Sequence, residues 1–392
     1  MSAVAAAGGE RLRVCAAVVS HLPYDARVWK EARSLARAGY EVELIGMRYQ
    51  LDRPRTRTED GITVTELPFG ERHGGHSATP FHRTWVLLRL WARILRTRAD
   101  IYHCHNVHVA PPVLVASRLR GAEIVYDAHE LYGEVKPGAS LSSRISARLT
   151  RFFEGRIIAR ARRVITTNES RVAVLAERYP EAEIVSVGNV PYLASEVEPL
   201  DPGFPEGVPI LLYQGGIYAE ARAFEATIAA LPLLEGLHLA ILGFGRDRDK
   251  QLIAEWAQRE GVADRVHLYP PRPFEELVRI AAAADLGIVP LRHISMNSYL
   301  GDTNKLYEYM MAGLPTVGSD FPEVARVLSS GDPPPGETFD PESPESIAEA
   351  VRRVLSVRYE ERCARARALA VSEYNWSTAE RALLACYAGE GE

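Results

Sequence analysis

Lysine is scarce in this chain. Among 46 basic residues in 392, only Lys30, Lys136, Lys250 and Lys305 are lysines. The skew assigns no function by itself, but it makes the setting of each lysine worth locating. Cysteine is rare too, and Cys15, Cys104, Cys363 and Cys386 form no CxxC pair. That excludes a zinc ribbon and a disulfide framework, and it fits a reducing compartment. No apolar run approaches the ~20 residues of a membrane-spanning helix. The opening stretch MSAVAAAGGERLRV lacks a basic segment followed by an apolar one, so no signal peptide is expected. The expected location is the cytoplasm, with peripheral attachment at the inner face of the membrane as a further reading. Excess positive charge is also missing. A net charge of −5 disfavours wholesale nucleic-acid binding and requires any anion site to be local. No repeat of solenoid period and no low-complexity tract is found.

What remains is 47% hydrophobic and 25% charged, an ordinary balance for chains with full cores. At ~150 residues per domain the length suggests two domains. Short β-rich runs alternate with longer amphipathic ones. RVCAAVVS (13–20) reads as a buried strand, ARVWKEARSLARAG (26–39) as a helix ending on glycine, and YEVELIG (40–46) as the next strand. DIYHCH, EIVYDAH, RVITTN and AEIVSV continue the series. Near-continuous apolar strands separated by helices predict a parallel sheet covered on both faces. The Pro-, Gly- and acid-rich stretch PYLASEVEPLDPGFPEGVP (191–209) then breaks the pattern. A second βα series follows in ILLYQGG, LHLAILGFG, VHLYPP, LGIVPL and LPTVGS. The expected fold is therefore α/β, two Rossmann-like doubly wound domains facing a cleft. The expected divisions are a disordered start (1–11), an N-terminal domain (12–193), a linker (194–208), a C-terminal domain (209–374) and a terminal helix (375–392). That helix would cross back to the first domain, with Trp376 and Tyr387 as packing anchors.

Open α/β sheets bind ligands beyond the carboxyl ends of their strands. In the first half those ends carry Ser20-His21, His105-Asn106 and Asp127-Ala128-His129-Glu130. In the second they carry Gly215-Gly216, Gly243-Phe244-Gly245 and the stretch GDTNKLYEYMMAGLPTVGSD (301–320). A helix starting near Asp302 or Thr303 would present free amides and a partial positive charge, to which Lys305 adds a full one. Asn304 and Glu308, four apart, share a helix face. A cation with helix amides suits a diphosphate, and a carboxylate one turn on suits sugar hydroxyls. A capped surface helix with a Lys–Glu pair is the plain alternative.

NKLYEYMMAGLPTVGSD resembles the donor-binding segment of retaining GT-B glycosyltransferases, family 4 in particular. SHLPYDARVWKEARSLARAGYEVELIG resembles that family's opening strand, loop and helix, and IYHCHN, IVYDAHELYGE, LLYQGGIYAEARAFE and AILGFG follow in the family's order. The likeness runs from about Leu12 onward. It implies a nucleotide-diphosphate sugar as co-substrate, UDP- or GDP-linked, with no other cofactor and no metal. The acceptor, a glycan, glycolipid or small natural product, stays open. The likeness places Arg222 and Lys305 on the donor diphosphate, Gly215 and Gly216 beside the pyrophosphate or sugar, and His129 beside the transferred sugar. Gly243, Gly245 and Arg272 would border the nucleobase, and Glu308 would hold the ribose hydroxyls, with Thr303 and Asn304 at the helix start. Two departures stand out. Leu300 occupies the position of the first acid of the family's Glu-x7-Glu motif, and Ile217-Tyr218 replace a basic residue after Gly216. Asp302 would put negative charge near the phosphates unless it turns away as an N-cap.

Several readings stay open. Asp25 and Arg27 are either a helix cap with a structural ion pair or acceptor contacts, and His21, His105 and Asn106 would shape the acceptor side. Glu130 either orients His129 or meets the acceptor. His103, His105 and His108 could suggest a metal site, against which packed histidines are the simpler reading. RTWVLLRLWARILRTR (83–98) and RISARLTRFFEGRIIARARR (144–163) each read as a basic-faced packed helix or as a site for an anionic surface. Two rivals to sugar transfer also remain: a nucleotide-sugar epimerase or phosphorylase on the same scaffold, and a non-catalytic nucleotide-binding protein.

Overall fold

The computed structural model describes residues 11–48, 54–68, 80–134 and 140–388. The start read from sequence as disordered lies, up to residue 10, outside them. The chain forms two compact units. The first runs to Val187 and regains the chain at Glu380; the second is Gly188–Ala379.

The first unit is built on β1 (Arg13–His21), β2 (Glu41–Arg48), β3 (Arg55–Glu59), β4 (Ile62–Pro68), β5 (Ile101–His105), β6 (Glu123–Ala128), β7 (Arg163–Thr166) and β8 (Ile184–Ser186). They form one sheet in the order β3-β4-β2-β1-β5-β6-β7-β8. All neighbours run parallel except β3 and β4. That pair is a hairpin that turns at Asp60 and Gly61, both at positive φ. Helix Ala26–Arg37 starts on Asp25, whose side chain accepts from the Val28 amide, and it buries Val28, Ala32 and Leu35 against the sheet. The sheet order reverses between β1 and β5, which makes their carboxyl ends the switch point of this unit. After Glu380 the chain seats Tyr387 here, fully buried, with its hydroxyl on His103 Nδ1.

The second unit repeats the plan with β9 (Ile210–Gln214), β10 (His238–Leu242), β11 (Val266–Tyr269), β12 (Leu286–Val289), β13 (Thr316–Ser319) and β14 (Gly336–Phe339). Their order is β11-β10-β9-β12-β13-β14, all parallel, with the reversal between β9 and β12. Leu211, Ile241, Ile288, Val317 and Phe339 are central to its core. Residues 188–209 form neither helix nor strand, yet they are fastened to this unit: Leu200 N donates to Arg279 O, Tyr269 Oη to Gly203 O, and Phe204 packs on the Tyr269 ring. Trp376 is buried, with its amide on Pro191 O.

Candidate active site

In the second unit the loop after β9 lies across the end of β12. Ala223 N donates to Pro290 O at 2.9 Å, Arg292 N donates to Ala221 O at 3.1 Å, and Arg222 bridges to Leu291. Arg222 is thereby held at the switch point. Its Nε donates to Tyr213 Oη at 3.0 Å, and Lys305 Nζ stands 5.0 Å from the centre of the same tyrosine ring. Among the described residues neither cation forms an ion pair with a carboxylate. Lys305 is 6% exposed. Burial, and then the charge of Arg222, depress its pKa to about 7, with Glu308 opposing them.

Two glycines here answer to backbone and space. Gly215, beside Lys305, sits at φ 127°, a conformation that strains any residue with a Cβ. Gly243, at φ 158°, packs so close to the preceding strand's loop that a Cβ would fall 1.8 Å from Gly215 O. Gly216 and Gly245 lie in the same two loops, which Ile217 N joins by donating to Phe244 O. Helix Asn304–Ala312 begins next to the pair and ends on left-handed Gly313. Its cap position is Thr303, whose hydroxyl is buried without a partner. The sequence had allowed Asp302 as the cap; instead it accepts from Tyr307 Oη at 2.8 Å, because a tyrosine five residues on reaches back to it. Asn304 is exposed. Glu308 Oε2 accepts from Gln214 Nε2 at 2.6 Å at the end of β9. Leu300, where the motif has its first acid, is buried as the residue that caps the short helix Met296–Tyr299. Arg272 sits apart, in the exposed loop after the edge strand β11, 3.9 Å from Glu276.

The first unit's candidates converge on Asp127, which the sequence reading had noted only as one polar residue at a strand end. Arg27 Nε and Nη2 donate to its two oxygens at 2.9 and 2.8 Å, and Nη1 donates to Val187 O. His105 Nδ1 lies 3.1 Å and His129 Nε2 2.8 Å from Asp127 Oδ2. Burial alone would raise the Asp127 pKa; Arg27, His129 and the imidazole hydrogen bonds hold it well below the carboxylate range. Burial works against the His129 imidazolium, and Asp127 outweighs it, so that pKa is raised. In His105 burial wins and the shift is downward. Asp127, not Glu130, therefore orients His129; Glu130 is exposed. Asn106, at φ 64°, accepts from the His108 amide. His21 ends β1, one residue before the turn that leads to Asp25.

Glu31, one turn after Arg27, also went unremarked in the sequence, although the i,i+4 spacing could have flagged it. It is fully buried, 3.0 Å from Arg27 Nε and 3.3 Å from His103 Nε2. Burial lifts its pKa to about 8, opposed by Arg27 and reinforced by Asp127. Glu31, His103, His105 and Asp127 bring ligand-type atoms within 4.8 Å of one another. Arg27 supplies a cation within 3.0 Å of both carboxylates, while Glu31 Oε1 and Oε2 and His103 Nε2 are buried without a hydrogen-bond partner. His108 points elsewhere, against Tyr132.

The comparisons with known proteins agree with this geometry. Residues 24–189 match the glycosyl transferase 4-like domain family, and residues 208–357 match glycosyl transferases group 1. No curated protein matches the sequence. Solved structures similar to the fold include a sucrose-phosphate synthase from Thermosynechococcus elongatus, at 15% identity and TM-score 0.76, covering 96% of this chain and 98% of that one. The catalytic domain of starch synthase IV from Arabidopsis thaliana, bound to ADP and acarbose, follows at 16%, 0.69, 96% and 99%. A UDP-forming trehalose-phosphate synthase from Burkholderia vietnamiensis stands at 12%, 0.68, 96% and 99%. With both halves matched in order, on two sheets of the same strand plan, the chain belongs to the GT-B glycosyltransferases that join a glycosyl transferase 4-like domain to a group 1 domain.

Proposed function

We propose that this glycosyltransferase takes its sugar from a nucleotide-diphosphate donor, UDP- or GDP-linked, and transfers it with retention to an acceptor hydroxyl. The observation that carries the reading is the pair Arg222–Lys305. Two cations flank one tyrosine at a switch point, beside a helix start, and among the described residues neither is in an ion pair with a carboxylate. A buried positive site of this kind gains most from a ligand with concentrated negative charge, and a diphosphate supplies it.

Departure of the nucleoside diphosphate develops charge on the bridging oxygen. Arg222, Lys305 and the first amides of helix Asn304–Ala312 stabilise that charge as it forms. The anomeric carbon becomes oxocarbenium-like, the acceptor attacks from the face the diphosphate leaves, and the leaving phosphate takes the acceptor proton. Glu308, steadied by Gln214, holds the ribose hydroxyls, and the loops of Gly243 and Arg272 border the base. The first unit recognises the acceptor, and His129, held by Asp127, carries the sugar-side role that the resemblance implies. Two of the similar structures are trehalose- and sucrose-phosphate synthases. A sugar phosphate therefore joins glycans, glycolipids and small natural products as an acceptor class worth testing.

The experiment is incubation with UDP-, GDP- and TDP-sugars and an acceptor panel, followed by mass analysis and NMR assignment of the new anomeric centre. Transfer with the donor's anomeric configuration supports the reading. Donor conversion with no acceptor consumed would favour an epimerase, and nucleotide binding with no turnover on any donor would reduce the chain to a binding protein.

A further inference from the structure

Three helices of the first unit carry almost no acid. Pro80–Arg96, Ala110–Arg120 and Leu141–Ile158 contain a single carboxylate, Glu154, and it is fully buried. The middle helix packs against the other two. In a chain of net charge −5 this is a strongly basic face.

The tryptophan-bearing helix is the less informative of the two basic helices singled out from the sequence. It buries Val86, Leu90 and Ile94, one residue per turn, as a helix packed on a sheet does. Helix Leu141–Ile158 is different. It buries Ala147, Glu154, Ile157 and Ile158, and it also carries a second apolar stripe made of Leu141, Ile145, Leu149 and Phe152, exposed by 73%, 49%, 55% and 52%. At ~100° per residue these four fall within an arc of about 80°, centred roughly opposite the buried face. Arg144, Arg148 and Arg151 flank the stripe on one side, and Arg156, within the stripe's own arc one turn beyond Phe152, lies 4.9 Å over the Phe152 ring. None of these arginines forms an ion pair among the described residues. Val115 and Leu119, exposed by 50% and 76%, add a further apolar pair on the neighbouring helix.

We propose that the outward face of helix Leu141–Ile158, continued by Val115 and Leu119, docks on an anionic lipid bilayer. Four large apolar side chains in a row are a cost in water unless something covers them. Arginines along one flank of the stripe and at its C-terminal end set cations beside an apolar layer, as on amphipathic helices that lie in the headgroup plane. A second copy of the same face would bring its arginines against these. Nucleic acid would take the arginines but has no use for the aliphatic stripe. No described helix is long and apolar enough to cross a membrane, so the contact is peripheral. The inference rests on this surface and not on the donor site.

The test is co-sedimentation of the full-length protein with vesicles of phosphatidylglycerol and phosphatidylcholine, with phosphatidylcholine alone as control. Binding to the anionic vesicles, weakened by salt, is expected. Arg144→Gln with Arg148→Gln and Arg151→Gln should lower partition on the order of 100-fold. Ile145→Ser with Leu149→Ser and Phe152→Ser should lower it by about 10-fold or more. Leu149→Trp keeps the stripe apolar and, measured as the difference from the parent protein with its own five tryptophans, should add a blue-shifted emission on adding anionic vesicles. Nucleotide binding should be unchanged in every variant, which separates failure here from failure of the donor assignment. Equal binding to neutral vesicles, no loss in either triple variant, or an unshifted tryptophan would overturn the proposal. So would a dimer in light scattering that the serine variant dissolves, or tight salt-sensitive binding of DNA in place of vesicles.

Discussion

Both units place an arginine at or beside the switch point of a doubly wound sheet, and the two arginines live under opposite electrostatic conditions. Arg27 has both oxygens of Asp127 within 2.9 Å and Glu31 at 3.0 Å, all buried. Arg222 has a tyrosine hydroxyl and a backbone carbonyl, with a second cation, Lys305, as its neighbour. The first cluster is closed in charge: Arg27 is answered by both oxygens of Asp127, with Glu31 beside it as a second, proton-holding acid. The second is open: among the described residues neither Arg222 nor Lys305 is in an ion pair with a carboxylate. Burying a charge is unfavourable unless it is paired, which is why the open cluster, and not the closed one, is the one we propose for ligand binding.

The sharpest way to break the contrast is to remove a carboxylate from the closed cluster. Asp127→Ala leaves Arg27 buried with Glu31 as its remaining acid. Losing one partner of a buried pair costs about 3–5 kcal/mol, and the low end is expected here because Glu31 can ionise in response. Thermal unfolding of the first unit should fall accordingly. An unchanged transition would mean that the buried pair carries none of the stability.

The matching change in the open cluster should act on turnover instead. Lys305→Ala is expected to lower kcat roughly 10²–10³-fold, as for loss of one charge-stabilising donor. It should leave the ligand-free protein as stable as before or slightly more so, because the ammonium it removes is desolvated and beside Arg222. Steady-state kinetics and a melting curve on the same sample check both halves. A large loss of stability with little loss of rate would invert the assignment.

Glu31 and Lys305, one in each cluster, should also answer pH with opposite signs. Glu31 has its pKa raised from 4.5 to about 8, so between those values the folded state holds a proton that the unfolded chain has lost. Its contribution to stability is present at low pH and lost as pH rises through the window. Lys305 has its pKa lowered from 10.5 to about 7, so between those values the unfolded chain holds the extra proton, and stability increases with pH. Each slope is bounded at about 1.4 kcal/mol per pH unit. Denaturant titrations at several pH values, repeated on Glu31→Gln and on Lys305→Met, should flatten one slope at a time.

The repeating βα pattern was legible because strands buried on both faces are written as apolar runs, and β1, β2 and β9 begin or end within a residue or two of where the runs do. Lys305 was legible as well, as a lysine at a helix start, whereas Arg222 was reached only through the family resemblance. The closed cluster was not. Arg27 and Asp127 lie 100 residues apart, and only the pairing of β1 with β5 and β5 with β6 brings them together. Tyr213 was missed for a related reason: inside a buried strand it reads as core, and its hydroxyl becomes informative only when Arg222 is found on it. The stripe on helix Leu141–Ile158 was hidden because two apolar faces on one helix blur into an ordinary hydrophobic pattern.

The smallest effect discriminates best between an open cation site and a merely tolerated lysine. With a pKa near 7, Lys305 is about half protonated in the free protein at that pH. A diphosphate beside it favours the charged form and should restore the pKa toward its ordinary value. Binding of UDP or GDP should then take up about half a proton at pH 7 and nearly a whole one at pH 8, with affinity falling by at most about tenfold per pH unit above 7. Calorimetry in two buffers of different ionisation enthalpy measures the uptake directly, and Lys305→Met should abolish it. A proton count of zero with the nucleotide bound would therefore mean that the phosphates do not reach the lysine.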